Sequence, residues 1–229
     1  MPSAGFWSPI APTGLVSAVI LLCGVQAARA QQQVNPTTWN FDADRVNESP
    51  KGFSFSRTGN GRKGRWVVWP AKDAPSRTNV LAQLDNDDTD FRFPIAVASA
   101  TRLTDVRLSV KCKPVSGAVD EACGLVFRYQ DANNYYLTRA NALEHNVRLY
   151  KVVGSHRQQL AGWSGPVTRG VWHALRVEAL GDHMIVSWDG QNIIVVDDHT
   201  FRDAGSIGVW TKADSVTYFD DLVVEPLHP

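Results

Sequence analysis

Two stretches of the chain combine aromatic rings with planar polar side chains, the combination that sugar-binding sites use. A ring stacks on the apolar C–H face of a pyranose, while guanidinium, amide and carboxylate groups fix its hydroxyls. The first stretch runs from Phe127 to Arg148, and the second from Ile207 to Ser215. The side chains predicted to line a sugar site are Arg128, Asn134, Tyr136, Arg139, Asn146, Arg148, Trp210, Lys212 and Asp214.

The second stretch alternates between apolar and other residues in a way that assigns its faces. Its alternate apolar residues, starting at Ile207, are predicted to face the core, which places Gly208, Trp210 and Lys212 on the opposite face. Gly208 would leave a shallow floor for a sugar ring. Trp210 would stack on that ring, and Lys212 and Arg128 would donate hydrogen bonds to its hydroxyls or to a keto oxygen.

Residues for hydrolytic chemistry are less evident. Retaining glycoside hydrolysis needs two carboxyl groups about 5 Å apart, and no Glu-x-Asp-x-Glu strand that would supply them occurs here. A ketone acidifies the neighbouring C–H bond, so a keto-sugar needs only one base and one oxyanion stabiliser. His145 with Arg148, or Asp214 with Lys212, would supply such a pair; the competing interpretation is that each is a charged pair on a solvated loop.

Metal-binding patterns are limited to calcium. The six histidines show no zinc-ligand spacing. Carboxylates near the two ends of the chain predict one structural calcium ion between the first and last strands, with edge-strand solvation as the alternative. These carboxylates belong to Asp42, Asp44, Asp220 and Asp221, and the acidic run at 85–90 is a second calcium candidate.

The cysteines predict one disulfide. Cys112 and Cys123 flank the segment KPVSGAVDEA, whose Pro and Gly are typical of a hairpin loop. Opposed positions on antiparallel strands bring Cβ atoms close enough for a bridge. We therefore expect a Cys112–Cys123 bond that pins a hairpin, with two buried thiols as the alternative. Redox catalysis is not indicated, because a C-x-x-C spacing is missing.

The elements that must position these residues are strands. Short β-rich runs recur after residue 30, separated by Gly, Pro, Asn and Asp, and no long helical period accompanies them. This spacing predicts an all-β fold, a two-sheet antiparallel jelly-roll sandwich, with residues 70–101 as a long surface loop. The predicted strands are Trp66–Trp69, Val106–Cys112, Gly124–Gln130, Tyr135–Ala140, Val147–Val153, Trp172–Leu180, His183–Trp188, Ile193–Val196, Ser206–Thr211 and Val216–Val224.

The first thirty residues differ from the rest. Gly14–Gly24 is an apolar run of signal-peptide length, and Ala28–Ala30 reads Ala-Arg-Ala, a cleavage-site pattern. We predict a signal peptide over 1–30, cleavage after Ala30, a single domain over 31–229, and a periplasmic or secreted location. The chain has 23 basic and 23 acidic side chains, so its charge favours neither nucleic acid nor an anionic membrane. No later run is long and apolar enough to predict a membrane span.

Three segments carry a family resemblance. GLVFRYQDANNYYLTRANALEHNVRLYKV, WHALRVEALGDHMIVSWDGQNIIVVDDHTF and GSIGVWTKADSVTYFDDLVV resemble a bacterial concanavalin A-like lectin/glucanase domain, of the laminin-G-like branch, and the 3-keto-disaccharide hydrolase domain family. The resemblance implies a jelly roll that takes a sugar ligand on the concave face or its rim. Three hypotheses follow, namely an exported carbohydrate-binding domain, a hydrolase or lyase acting on 3-keto-glycosides, and a structural or interaction domain of the envelope.

Overall fold

The computed structural model describes residues 1–5 and 36–228, which leaves the segment that contains the predicted cleavage site outside the described residues. Two compact units are distinguished, Met1–Gln33 and Val34–Pro229. The second unit contains every strand that follows. Within the described ranges, no helix is long and apolar enough to cross a membrane.

Fifteen strands, numbered in chain order, form two antiparallel sheets in the described part of the chain. Sheet A contains β1 (Thr37–Trp39), β3 (Trp66–Pro70), β4 (Asn79–Gln83), β6 (Val106–Ser116), β11 (His173–Leu180), β12 (His183–Trp188), β13 (Gln191–Asp197) and β15 (Val216–Pro226). Sheet B contains β2 (Phe53–Gly59), β5 (Arg92–Leu103), β7 (Ala122–Asp131), β8 (Asn134–Asn141), β9 (Asn146–Val153), β10 (His156–Ser164) and β14 (Gly205–Trp210). The order is β13-β12-β11-β6-β15-β4-β3 in sheet A, with β1 also paired to β15, and β10-β9-β8-β7-β14-β5-β2 in sheet B. The predicted all-β sandwich is confirmed.

The main core lies between the two sheets and follows the alternation of the strands. Leu108 and Val110 of β6 are buried in it together with Leu125 and Phe127 of β7. The residues between them on β6, such as Ser109, turn to the outside of sheet A and are partly exposed. Each such apolar side chain contributes about 1.5–3 kcal/mol when it leaves water, which is why the period-2 pattern determines the faces.

The disulfide is confirmed, but its role differs from the expected one. Cys112 lies on β6 of sheet A and Cys123 on β7 of sheet B, with their Cα atoms 6.3 Å apart. Both residues are fully buried in the main core. The bond therefore ties one sheet to the other across the sandwich and does not pin a hairpin within one sheet.

A second apolar cluster fills the opposite face of sheet B. It includes Phe93, Val126, Leu137 and Trp210, all nearly or completely buried. The sheet curls around this cluster, because side chains of distant strands meet across it. The hydroxyl of Tyr135 on β8 lies 2.7 Å from that of Thr58 on β2, and the Tyr129 hydroxyl lies 2.9 Å from that of Ser56. We call this the curled face of sheet B.

The prediction of a long loop over residues 70–101 is wrong. The segment contains β4 and most of β5, and both strands are buried in the interior of their sheets. The apolar run from Phe93 to Ala98 is buried on both sides, in the main core and in the second cluster. A strand that is apolar on both faces shows no alternation, so the periodicity of the sequence does not reveal it.

Candidate functional site

The strand that carries Trp210 has the orientation that the alternation predicts. Ile207 and Val209 lie in the main core, and Gly208 and Trp210 face the other way. Trp210 is nevertheless completely buried and stacks on Phe93 with ring centroids 5.4 Å apart. The indole is therefore part of the packed apolar layer on the curled face, and its ring is not accessible to a sugar. The glycine at 208 serves strand packing, since a Cβ there would lie 2.1 Å from the carbonyl oxygen of Ala96.

Polar side chains gather at one end of the curled face, beyond Trp210. The Lys212 ammonium lies 3.0 Å from Oδ2 of Asp120 and 2.7 Å from Oδ1 of Asp90. Asp120 also accepts a hydrogen bond of 2.9 Å from the side-chain amide of Asn141. Asp120 and Asn141 are buried, whereas Asp90 is exposed. One side of this ion-pair network thus opens to solvent.

The hairpin of β8 and β9 supplies the other half of the group. Arg139 donates to Glu144 Oε2 at 2.7 Å, to the Tyr150 hydroxyl at 3.2 Å, and to the side-chain oxygen of Asn146. Asn146 in turn donates to Glu144 Oε2 at 3.0 Å. Arg139 and Asn146 are buried, while the side chain of Glu144 is 47% exposed. We define the polar end cluster as Asp90, Asp120, Arg139, Asn141, Glu144, Asn146 and Lys212.

Asp214 holds one of the loops that build this cluster. Its carboxylate accepts hydrogen bonds from the backbone N–H groups of Ala118, Val119 and Asp120, at 2.6, 3.0 and 2.9 Å. The loop between β6 and β7 is therefore fixed in the conformation that presents the Asp120 side chain. Asp214 therefore positions Asp120 through the backbone of this loop, and little of its own side chain is exposed to a ligand.

The side-chain oxygen of Asn141 fixes the conformation of the turn between β8 and β9. It accepts from the backbone N–H groups of Leu143 and Glu144 at 2.8 and 3.1 Å. An Asn side chain that bonds backbone two and three residues further on stabilises a tight turn. This contact directs Glu144 toward Arg139.

Burial and neighbouring charges set the protonation of the cluster. Burial raises the pKa of Asp120, and Lys212 opposes that shift without cancelling it. Burial acts to lower the pKa of Lys212, but the carboxylates of Asp90 and Asp120 raise it above its ordinary value. For Glu144, burial acts to raise the pKa, and Arg139 and Asn146 bring it below its ordinary value. The cluster therefore holds a firmly charged lysine beside a carboxyl group that takes up a proton more readily than usual.

Three predicted ligand residues, besides Trp210, Asp214 and Arg148, lie outside the cluster. Arg128, with a φ of 46°, is buried at the opposite end of β7 and donates to the carbonyl oxygens of Thr104 and Phe201 at 2.8 and 2.9 Å. Asn134 is the first residue of β8, and its side-chain oxygen accepts from the Gly154 N–H at 3.1 Å. Both are structural ties between loops.

Tyr136 is the third of these residues. It lies in the main core, stacked on Phe127, and its hydroxyl donates to Asp198 at 2.5 Å. Burial raises its pKa to about 12. The alternation of β8 explains this placement, because Leu137 and Arg139 take the curled face and Tyr136 takes the core.

The proposed His145 and Arg148 pair is not assembled. Arg148 is opposite Arg139 in the β8–β9 register and donates to the Trp163 carbonyl oxygen at 2.8 Å. His145 is exposed in the preceding turn with a φ of 49°. Within the described residues no hydrogen bond joins the two side chains, although Arg148 borders the polar end cluster.

The predicted calcium ligands do not converge. Oδ1 of Asp42 accepts from the backbone N–H groups of Thr78 and Asn79 at 3.0 and 3.1 Å, and Oδ2 of Asp220 accepts from Ser76 at 2.8 Å. These two carboxylates fix the loop between β3 and β4. Neither Asp44 nor Asp221 joins them, and the described residues contain no group of three or more His, Cys, Asp or Glu side chains placed to hold a metal.

The acidic run at 85–90 is also committed to protein contacts. Asp85 lies 3.2 Å from Nη2 of the buried Arg92, and the Asp87 carboxylate accepts from the Arg62 backbone N–H at 2.8 Å. Oδ2 of Asp42 is buried without a hydrogen-bond partner, but in the described residues no further His, Cys, Asp or Glu side chains converge on it or on the acidic run to complete a calcium site.

Four residues of the polar end cluster are not among the predicted sugar-binding residues: Asp90, Asp120, Asn141 and Glu144. Asp90 lies in the acidic run at 85–90, and Asp120 lies in the segment between the two cysteines. A usable signal is the Asn141-Ala-Leu-Glu144 segment after an alternating strand, because Asn at that position favours a turn. No local signal identifies Asp120, since its partners are distant in sequence.

Comparison with known proteins shows which fold the chain has. No family model matches the chain, and no curated protein matches it. Among solved structures, the chain resembles the carbohydrate binding module CBM66 from Bacillus subtilis (TM-score 0.59, 21% identity, covering 79% of this chain and 98% of that one). It also resembles the cellulose induced protein Cip1 (TM-score 0.63, 9% identity, 83% and 97%) and the exoplasmic/lumenal domain of VIP36 in a Ca²⁺/Man-bound form (TM-score 0.54, 12% identity, 78% and 84%). The chain thus has the two-sheet sandwich fold of concanavalin A-like domains.

Proposed function

We propose that this domain binds carbohydrate at the polar end cluster on the curled face of sheet B. The observation that carries the proposal is the burial of charged and amide side chains at an end of the face that opens to solvent. Asp120, Arg139, Asn141 and Asn146 are all less than a tenth exposed. Even when buried charges are paired, their desolvation can cost more stability than the ion pair returns, so folding alone gives no reason to gather them here.

The cluster retains hydrogen-bonding capacity for hydroxyl groups. Lys212 has three N–H donors and uses two of them on Asp90 and Asp120. Glu144 and Asp90 present exposed carboxylate oxygens at the rim. A sugar hydroxyl both donates and accepts, so it can bridge the free donor of Lys212 and a rim carboxylate.

An apolar surface lies beside these groups. Phe91 is 44% exposed and packs edge-on against Phe93, with ring centroids 5.0 Å apart. It follows Asp90 directly in sequence, and Phe93 in turn stacks on Trp210, so we place the Phe91 ring beside the open side of the cluster. Phe91 takes the role that the sequence analysis gives to Trp210, as the apolar surface for the C–H face of a sugar.

The names of the structural neighbours support the same class of ligand. One is a carbohydrate binding module, and another was solved with mannose. These names describe those proteins, and their identity to this chain is low. They favour carbohydrate over other polar ligands for the cluster described above.

The test is a glycan array followed by calorimetry on the glycans that bind. Lys212→Gln and Glu144→Gln should each weaken binding about tenfold or more, which corresponds to about 1.4 kcal/mol for a lost charged hydrogen bond. Arg202→Gln is the matched control, since Arg202 is exposed and pairs with Asp182 at the far end of the sandwich. Failure of every glycan to bind would refute the proposal and leave the envelope structural role as the better explanation. Full binding by both variants would show that the carbohydrate site is not the polar end cluster.

A second function, cleavage of 3-keto-glycosides, is favoured by one observation. Burial raises the pKa of Asp120, whose carboxylate lies 3.0 Å from the Lys212 ammonium. Asp120 would remove the proton beside the ketone, and Lys212 would stabilise the enolate oxygen. The electron pair of the broken C–H bond would then form a C=C bond as the glycosidic C–O bond breaks, and the proton would pass to the leaving oxygen.

Incubation with 3-keto-disaccharides tests this second function. Cleavage that Asp120→Asn abolishes, while binding of the unoxidised sugar persists, would establish catalysis. Binding without turnover would leave the domain as a binding module.

We further propose that the domain is exported and matures by cleavage after Ala30. The buried Cys112–Cys123 bond supports this, because disulfides persist in oxidising compartments. Mass spectrometry of protein recovered from the periplasm or medium should give a chain that begins at Gln31. Calcium has no step in the proposed function, since no group of three or more metal-ligating side chains gathers around Asp42 or Asp220 in the described residues.

A further inference from the structure

We propose that the outer face of sheet A carries a second carbohydrate site, which takes a neutral oligosaccharide. This site, called the outer groove, lies on the side of the sandwich opposite the polar end cluster. It consists of a pocket and an adjoining aromatic pair. The inference does not rest on the function proposed for the polar end cluster.

The pocket has a volume of about 370 Å³, within the range of small-ligand sites. Its floor is formed by small residues of neighbouring strands, Ser109, Ala174 and Ser187. The longer side chains of Lys111 and Arg176 form its walls. The register explains the depression, because Lys111 is paired with Ala174 and Arg176 with both Ser109 and Ser187, so that large and small residues alternate across the sheet.

The aromatic pair adjoins the pocket along β6. Lys113 follows Lys111 by two residues, so the two side chains leave the same face about 7 Å apart. The Lys113 ammonium lies 5.1 Å from the ring centroid of Trp172 and 5.3 Å from that of Tyr218. Both rings are partly exposed. The Lys113 ammonium contacts both rings and holds them together. They therefore form an aromatic surface next to the pocket.

Charge at the outer groove favours a neutral ligand. The Lys113 ammonium is held by both carboxylate oxygens of Asp73 at 2.8 Å, and Arg176 lies 3.4 Å from Glu178. Asp221 lines the same pocket as Lys111, so the remaining cation has an anion opposite it. Partly exposed rings beside paired charges and hydroxyl groups match the alternating apolar and hydroxyl surfaces of a pyranose chain.

The length of the groove favours an oligosaccharide over a single sugar. It crosses from Tyr218 on β15, over β6 and β11, to Ser187 on β12. Neighbouring strands are spaced about 4.8 Å apart, so the site spans about 14 Å. A ligand that reaches both the aromatic pair and the far wall of the pocket needs several linked rings.

The test uses the full chain with ¹⁵N-labelled tryptophan and four neutral probes at millimolar concentration: cellohexaose, xylohexaose, laminarihexaose and mannohexaose. With at least one probe, the indole N–H signal of Trp172 should shift, including in the Lys212→Gln variant whose polar end cluster is altered. Trp172→Ala should weaken this binding about tenfold, and Trp172→Phe should retain most of it because a ring remains.

Ala174→Trp supplies an independent variant, since it fills the pocket and leaves the aromatic pair and the core in place. It should also abolish the shift while the melting temperature stays near that of the wild type. If no probe moves the Trp172 signal, or if Lys212→Gln removes the shift, the outer groove is not a sugar site. The first proposal is judged separately, by glycan binding that depends on Lys212 and Glu144.

Discussion

The polar end cluster and the outer groove each place a lysine beside an aspartate, and the two pairs differ in their exposure to water. The two lysines are similarly buried, Lys212 at 15% and Lys113 at 11% exposed, but their partners differ, since Asp120 is 3% exposed and Asp73 is 60% exposed. The distances are similar, at 3.0 and 2.8 Å. Geometry alone therefore does not separate them. What differs is the access of water to the acidic partner, because water screens the pair with Asp73 and does not reach the pair with Asp120.

That difference predicts the largest effect on stability. Asp120→Ala removes a buried partner of Lys212 and leaves the Asn141 amide without its acceptor, so it should cost about 3–5 kcal/mol of unfolding free energy. Asp73→Ala removes the exposed partner of Lys113 but lets water reach the ammonium, which keeps its contacts with the Trp172 and Tyr218 rings, so the cost should be smaller, about 1 kcal/mol. Urea unfolding of both variants measures the contrast. Equal losses would show that the two pairs are equivalent.

The disulfide links the sheets that carry the two regions, and its loss should rank second. Replacing Cys112 and Cys123 together by alanine should lower the unfolding free energy by about 2–3 kcal/mol, because the closed loop is short. Since the bond joins sheet A to sheet B, we expect both regions to lose protection against amide hydrogen exchange. Loss of protection confined to β6 and β7 would show that the bond acts locally.

Asp120 and Asp73 should contribute to the pH dependence of stability with opposite signs. The folded-state pKa of Asp120 is raised above its ordinary 3.8, so its contribution is present below that pH and is lost as pH rises through the raised pKa. Lys113 lowers the pKa of Asp73, so that contribution is present above 3.8 and is lost as pH falls through the lowered pKa.

Urea unfolding across the acidic range, with Asp120→Asn and Asp73→Asn, isolates the two contributions. With Asp120→Asn, the decline of the unfolding free energy with rising pH should become less steep. With Asp73→Asn, a smaller rise of the unfolding free energy with pH should become less steep. The same sign for both would contradict the assignment of burial as the cause at Asp120.

Calcium should have the smallest effect. Asp42 and Asp220 each bond the loop between β3 and β4, and no third acidic, His or Cys side chain of the described residues joins them to form a calcium site. Added calcium or a chelator should therefore shift the melting temperature by less than about 1 °C, since an ion that does not bind cannot stabilise by mass action. A rise that depends on calcium and disappears in Asp42→Asn would reinstate the metal site.

Much of the fold could be predicted from alternation. The strands with one face in the core and the other toward solvent, such as Val106–Ser116 and His173–Leu180, alternate clearly between buried and partly exposed residues. Arg92–Leu103 could not be found in the same way, because Phe93 and Ala96 on its opposite faces are both buried. Periodicity reports a difference between two faces, and this strand has none.

The candidate site was only partly predictable. Arg139, Asn146 and Lys212 belong to the predicted set and also to the polar end cluster. Arg128 and Tyr136 do not, because a positive φ at Arg128 and the alternation of β8 send their side chains elsewhere. Asp120 was missed, since nothing near it in sequence indicates that Lys212 and Asn141 will meet it.

The amino-acid sequence by itself determined the class of fold, the cysteine pairing and the face to which Trp210 points. Each of these follows from local spacing: alternation along a strand, or two cysteines on either side of a short loop. The tertiary structure alone decided that Trp210 is covered, that the disulfide joins two sheets, and that Asp120 meets Lys212. The physical reason is the curl of sheet B, which brings side chains from distant strands together, and a sequence pattern within one strand carries no record of that curvature.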